Sequence, residues 1–162
     1  LIYEKLIDLG FKNFLINVGG NIVTSGENIG TKRNWKVGIT KPFSYNEEIG
    51  YIEVNNEKTS VVTSGIYERY ITYQGVKYHH ILNPKTGYPC SEEITSVTIM
   101  SENSTLADAL STSVFMLGVT KGLELINSID GVETIIVTNN KKVYVSSNID
   151  FISNVENIEI IR

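Results

Sequence analysis

Apolar positions along the chain follow two spacings, about two residues in some stretches and between three and four in others, and the changes between them mark out strands and helices. Leu1 to Gly10 has the wider spacing: Ile2, Leu6, Ile7 and Leu9 are apolar, and Gly10 stands where an amphipathic helix would end. The run Phe14, Leu15, Ile16 and Val18 is short and continuous, which predicts a strand buried on both faces and ending at Gly19-Gly20. A second strand follows at Asn21 to Thr24. Trp35 to Ile39 alternates, as a strand with one solvated face does, and Pro42 ends it. Tyr51 to Val54 and Ser60 to Thr63 read as two more strands, and Glu68 to Tyr73 with Val76 to His79 reads as a hairpin across Gln74-Gly75.

From Ile81 to Ser91 the pairs Asn83-Pro84, Thr86-Gly87 and Tyr88-Pro89 predict an ordered loop. Thr95 to Met100 is again strand-like, after which Ser104 or Thr105 can cap a helix running to about Leu117 and closed by Gly118. A further helix is expected over Lys121 to Ile129, then strands at Thr134 to Val137, Val143 to Ser146 and Ile158 to Ile161. Neither an internal repeat nor a low-complexity linker interrupts the series.

Composition narrows the function classes. With 162 residues, 41% of them hydrophobic and 20% charged, one domain can bury a real core across the whole chain. A net charge of -4 argues against attraction to a phosphate backbone, so no nucleic-acid partner is expected. The single cysteine, Cys90, excludes a disulfide framework and a paired-thiolate metal site. No apolar run has the length of a membrane-spanning helix, and the first residues lack the pattern of a secretion signal. A chain whose first residues read as mid-helix is expected to be a fragment of a longer protein.

Three stretches carry candidate chemistry. In Asn17-Val18-Gly19-Gly20-Asn21 the paired glycines let backbone amides approach a phosphate or a ring closely, although the same pair also reads as a tight hairpin turn. The segment Tyr78 to Pro89 holds both histidines of the chain. An imidazole can take a proton from a hydroxyl near neutral pH, and on a strand His79 and His80 point to opposite faces, so at most one serves a given site. In Ser104 to Thr112, Leu106, Leu110, Val114 and Leu117 form an apolar stripe, while Asp108 and Thr112 share the opposite face one turn apart. That pair offers hard oxygen ligands suited to Mg²⁺. Thr105 with Asp108 is also a capping-box variant, and the pattern alone favours the cap.

In order, these stretches resemble the ApbE family of FAD:protein FMN transferases. The matching text is Asn17 to Asn21, Trp35-Lys36-Val37-Gly38-Ile39, Thr63-Ser64-Gly65 with Glu68-Arg69, His80 to Pro89, Ser96-Val97-Thr98 and Ala107-Asp108-Ala109-Leu110-Ser111-Thr112. The resemblance runs nearly the whole length of the chain, and its specific part is the His-to-Pro loop followed by Ala107 to Thr112. It implies an α+β fold, a mixed β-sheet with packed helices on one side, like the C-terminal portion of a T-fold-like domain. It also implies attack by a Thr or Ser hydroxyl of a target protein on the FMN phosphorus of FAD, with Mg²⁺ on the pyrophosphate and release of AMP.

By matching positions, the resemblance makes His80 the catalytic base, Asp108 and Thr112 metal ligands with Ser111 as a weaker neighbour, and Gly19, Gly20, Ser64, Gly65, Leu82 and Thr86 the nucleotide contacts. The implied partners are FAD and an acceptor flavoprotein with a Ser/Thr-Gly-Ala-Thr-like motif, and the implied location is outside the cytoplasm on a lipid anchor. Two departures stand out. Family members usually carry Asp where this chain has Asn83, a position from which a carboxylate could tune the histidine. They also have a preceding stretch with a further metal contact, which this chain lacks. The competing expectations are a protein that binds or hydrolyses FAD without transfer, and an inactive truncated scaffold that pairs with itself as a homodimer.

Overall fold

The computed structural model describes residues 2–42, 44, 47–54, 58–90 and 93–162. Leu1 of the expected first helix and Ser91 at the end of the expected loop lie outside the described residues. The order is α1 (Ile2–Asp8), β1 (Phe14–Val18), β2 (Asn21–Ser25), β3 (Trp35–Thr40), β4 (Glu48–Val54), β5 (Thr59–Gly65), β6 (Tyr70–Tyr73), β7 (Val76–His79), β8 (Ile94–Ser101), α2 (Ser104–Leu117), α3 (Val119–Asn127), β9 (Glu133–Thr138), β10 (Lys142–Val145), β11 (Phe151–Ser153) and β12 (Glu159–Ile161).

A seven-stranded sheet in the order β1-β2-β5-β8-β9-β10-β12 forms the middle layer. Its pairings are antiparallel apart from β10 with β12, so the sheet is mixed. The period of two along its strands feeds two cores. In β9 Ile136 faces the helices, while Ile135 and Val137 face a three-stranded sheet of β11, β4 and β3. In β5 Val62 and Val61 divide the same way. On the helix side α2 adds Ala107, Leu110, Val114 and Phe115, and α3 adds Ile126. On the other side Val37, Ile39, Ile52, Val54 and Phe151 close the second core. Each such Val, Leu, Ile or Phe side chain is worth about 1.5–3 kcal/mol when fully buried, so both layers hold the central sheet by apolar burial. The helices approach closely at Gly122, where a Cβ would stand 2.7 Å from Val114 Cγ1.

The α+β architecture with helices on one side is as expected. Several local expectations are corrected. β1 is exposed along much of its length, because it is the last strand of its sheet and is not covered on both faces. The buried stripe of α2 is Ala107, Leu110, Ser111, Val114 and Phe115, leaving Leu106 and Leu117 exposed. α3 starts at Val119, two residues before the expected Lys121, since Gly118 both closes α2 and opens α3. β11, a three-residue strand, had no expected counterpart. Gly10 does end α1: Phe11 N–H reaches Leu6 O at 3.0 Å and Gly10 N–H reaches Ile7 O at 2.8 Å, with Gly10 at φ +88°.

Candidate functional site

The C-terminal end of β5 meets the middle of α2 in a cluster of hydroxyls. Ser64 Oγ lies 2.7 Å from Ser111 Oγ and 3.5 Å from Thr112 Oγ1. Ser111 donates its hydrogen to Asp108 O at 2.9 Å, so within the serine pair Ser64 is the donor. Ser111 is fully buried and holds Ser64 against the helix. Asp108 points outward, exposed, and its carboxylate has no partner among the described residues. The capping expectation is corrected here. The N-cap is Asn103, in extended conformation at φ −105° and ψ 103°, and its side chain accepts from Thr105 N and Leu106 N, both at 3.1 Å. Ser104 instead donates to Asn21 Oδ1 at 2.9 Å, tying the start of α2 to β2. With the cap supplied by Asn103, the Asp108 carboxylate is not part of the helix cap.

His80 stands beyond the β6–β7 hairpin. As the alternation requires, its neighbour His79 points the other way: it is buried, packs edge-on to Phe115 at 5.9 Å, donates from Nε2 to Cys90 O at 3.2 Å and accepts Ile81 N–H at Nδ1. His80 is exposed, and its Nδ1 lies 3.0 Å from Arg69 O, which also receives the His80 backbone N–H at 3.2 Å. A carbonyl can only accept, so Nδ1 carries a hydrogen and Nε2 is the nitrogen left to gain or lose a proton. The groove here has a volume of about 660 Å³ and is lined by Glu68, Arg69, His80, Leu82 and Tyr88 among others.

The loop behind it is ordered as expected. Asn83 O accepts from Gly87 N at 2.8 Å, Leu82 bridges to Pro89, and Thr86 Oγ1 accepts from Tyr88 N at 3.3 Å. Asn83 Oδ1 accepts from Lys85 N at 2.9 Å, a turn that an Asp oxygen would make equally well. Asn83 therefore shapes the loop and makes no hydrogen bond to His80.

Gly19 and Gly20 form the two-residue turn between β1 and β2 with φ of +59° and +89°, the conformation of a type I′ hairpin. Gly20 N–H is engaged by Asn17 Oδ1 at 3.3 Å. Glu68, which sequence reasoning did not single out, reaches toward this turn: its Oε1 is 3.7 Å from where a Cβ on Gly20 would stand. Partial burial pushes its carboxyl above the ordinary range, against the opposing pull of His80 and Arg69. Burial also pushes the Cys90 thiol up.

The structure thus brings Ser64, Ser111 and Thr112 together with Asp108 on the same helix, and sets His80 and Leu82 along one groove. Gly19 and Gly20 approach that groove through Glu68, and Gly65 follows Ser64 at the end of β5. Thr86 stays within its own turn and does not line the groove. No group of three or more His, Cys, Asp and Glu side chains gathers among the described residues. A cation at Asp108 would therefore depend on hydroxyls, water and substrate oxygens for its remaining ligands.

Solved structures share this fold. A crystal structure of the ApbE protein from Thermotoga maritima matches with a TM-score of 0.75 at 35% identity, over 91% of this chain and 48% of that one. The flavin transferase ApbE from Vibrio cholerae matches at 0.74 and 27% identity, over 90% of this chain and 46% of that one. By sequence, the FAD:protein FMN transferase of Klebsiella pneumoniae (strain 342) is 42% identical over 134 residues, 82% of this chain and 40% of the relative. That of Treponema pallidum (strain Nichols) is 38% identical over 157 residues, 90% of this chain and 43% of the relative. The ApbE family model matches residues 1–136, and the chain belongs to the ApbE family. It spans less than half the length of these relatives.

Proposed function

We propose that this chain is the part of an FAD:protein FMN transferase that supplies the base and one side of the metal site, the whole protein moving FMN from FAD onto a Thr or Ser hydroxyl of an acceptor. The observation that carries the reading is that one short segment serves both halves of the chemistry. At its start, Ser64 bonds the Ser111 and Thr112 hydroxyls; at its end, Arg69 O holds His80. Five Cα steps separate those residues, at most about 18 Å if fully extended, and the turn between them shortens that.

In this reading His80 Nε2 takes the proton of the acceptor hydroxyl as its oxygen bonds to the FMN phosphorus. The pyrophosphate P–O bond breaks, and AMP leaves with the bridging oxygen. Asp108 and Thr112 would hold Mg²⁺, with Ser111 beside them fixing Ser64; an exposed carboxylate with no other partner suits a metal that takes few protein ligands. When bound, the ion supplies charge neutralisation on the cleaved pyrophosphate. Gly19, Gly20, Ser64, Gly65 and Leu82 would line the nucleotide, largely through backbone groups; Thr86, held within its own turn, would not. The acceptor carries a Ser/Thr-Gly-Ala-Thr-like motif, and the full-length protein sits on a lipid anchor outside the cytoplasm.

The test is to incubate the full-length protein with FAD, Mg²⁺ and an acceptor peptide bearing that motif. A peptide mass gain equal to FMN, with AMP released, supports the reading. Retained FAD, or FMN freed into solution with the peptide unmodified, rejects it. Sedimentation of the same sample reports whether the working form is a homodimer.

A further inference from the structure

The β6–β7 hairpin turns an unusual amount of apolar surface to solvent. Ile71 and, on the facing loop, Tyr88 are each 69% exposed, and Tyr70 is 42% exposed. None of the three belongs to either core. All three line the groove onto which His80 opens. Among the described residues β6 and β7 pair only with each other, so each keeps an unpaired backbone edge. Exposed aromatic and aliphatic side chains gathered beside a free strand edge have the composition of a polypeptide-binding surface. Glu68 and Arg69 put one charge of each sign in the groove, so selection there falls to apolar contact and backbone pairing and not to net charge.

We infer that the groove between the β6–β7 hairpin and the loop at 81–90 is the docking surface for the acceptor protein, which enters as an extended segment resting its apolar side chains on Ile71 and Tyr88. The inference builds on the transfer reading above and adds the surface that recognises the second substrate. The occupant follows from the position of the base. The acceptor hydroxyl must come within about 3 Å of His80 Nε2, and His80 faces this groove, so the chain bearing that hydroxyl must cross it. An extended chain advances about 3.3 Å per residue, so the next few acceptor residues fall on the hairpin and the loop flanking His80.

The experiment uses the full-length protein with saturating FAD and Mg²⁺, unsubstituted and as Ile71→Glu and Tyr88→Ala. Three quantities are read: the dependence of FMN transfer on acceptor-peptide concentration, the affinity for FAD, and the melting midpoint. Each variant is expected to raise the peptide KM by about tenfold, with kcat, FAD affinity and melting midpoint unchanged. An unchanged peptide KM overturns the inference. So does a parallel loss of FAD affinity, which would turn these side chains toward the flavin, or a lowered melting midpoint, which would place them inside the folded protein. If the unsubstituted protein transfers nothing to the peptide, the transferase reading fails and this inference with it; intact transfer with unaltered KM in both variants removes the docking surface alone.

Discussion

Asn103→Ala and Asp108→Asn, made separately in the full-length protein, distinguish the residue that holds α2 in place from the residue that α2 presents. Asn103 accepts two backbone N–H groups at 3.1 Å, from Thr105 and Leu106. Removing that acceptor leaves helix-start donors without a side-chain partner and costs about 1 kcal/mol. In a unit of 162 residues this would lower the melting midpoint by about 2–4 °C, and in the longer full-length protein by less. Asp108 is exposed, lies outside the first turn of α2 and has no partner among the described residues. Its replacement by Asn should change stability by less than about 0.5 kcal/mol. Transfer responds in the opposite way. Asp108→Asn removes the one carboxylate assigned to Mg²⁺ and should raise the Mg²⁺ concentration needed for half-maximal transfer by at least about 100-fold. Asn103→Ala should leave that concentration as in the parent. Circular-dichroism melts and mass-spectrometric transfer assays across a Mg²⁺ titration read both effects. A melting loss for Asp108→Asn matching that of Asn103→Ala, with unaltered Mg²⁺ dependence, would make Asp108 a structural residue and refute the reasoning.

Other perturbations test other parts of the structure. His80→Ala should lower kcat for transfer by about 10²–10⁴-fold with FAD affinity retained, as steady-state kinetics and a binding titration can show; an unaffected kcat would remove His80 as the base. Burial holds the Glu68 carboxyl above its ordinary range, so the folded state keeps a proton that the unfolded state releases, and stability falls as pH rises through that range. Glu68→Gln should therefore gain stability relative to the parent as pH climbs from below to above the carboxylate range, measured by urea unfolding; a difference independent of pH would contradict this. Ile136→Ala, at a fully buried position on the helix-facing side of β9, should cost about 2–5 kcal/mol in the same unfolding assay, and a cost under about 1 would mean the helices do not pack there.

Much of the fold was legible because the alternation of apolar residues survives packing. The strands around Trp35, Thr95, Thr134 and Val143 appear where that pattern lies, and the two glycines at 10 and 118 stop their helices through positive φ. The opposite facing of His79 and His80 also followed from strand geometry alone, whereas the choice of His80 rested on the resemblance. What failed depended on neighbours distant in sequence. β1 has the composition of an interior strand, yet its place at the end of the sheet order leaves it exposed, and sheet order is not written in any one strand. Asn103, Ser104 and Thr105 can all cap a helix; Ser104 is instead drawn to Asn21, 83 residues away, a contact no local pattern reveals. Ser64 and Ser111, 47 residues apart, meet only because α2 packs across β5. Glu68 was visible as part of a motif, but its importance comes from facing the Gly20 turn and the groove of His80.

The atom that decides which imidazole nitrogen keeps its hydrogen belongs to the main chain, the carbonyl of Arg69. Side-chain drift at position 69 can therefore remodel the rim of the groove while the hydrogen stays where it is. A one-residue slippage of the ribbon would move it, swinging His80 inward and pushing His79 out to solvent. The tautomer of His80 thus follows from the pairing of the two strands and not from the identity of the side chain at position 69.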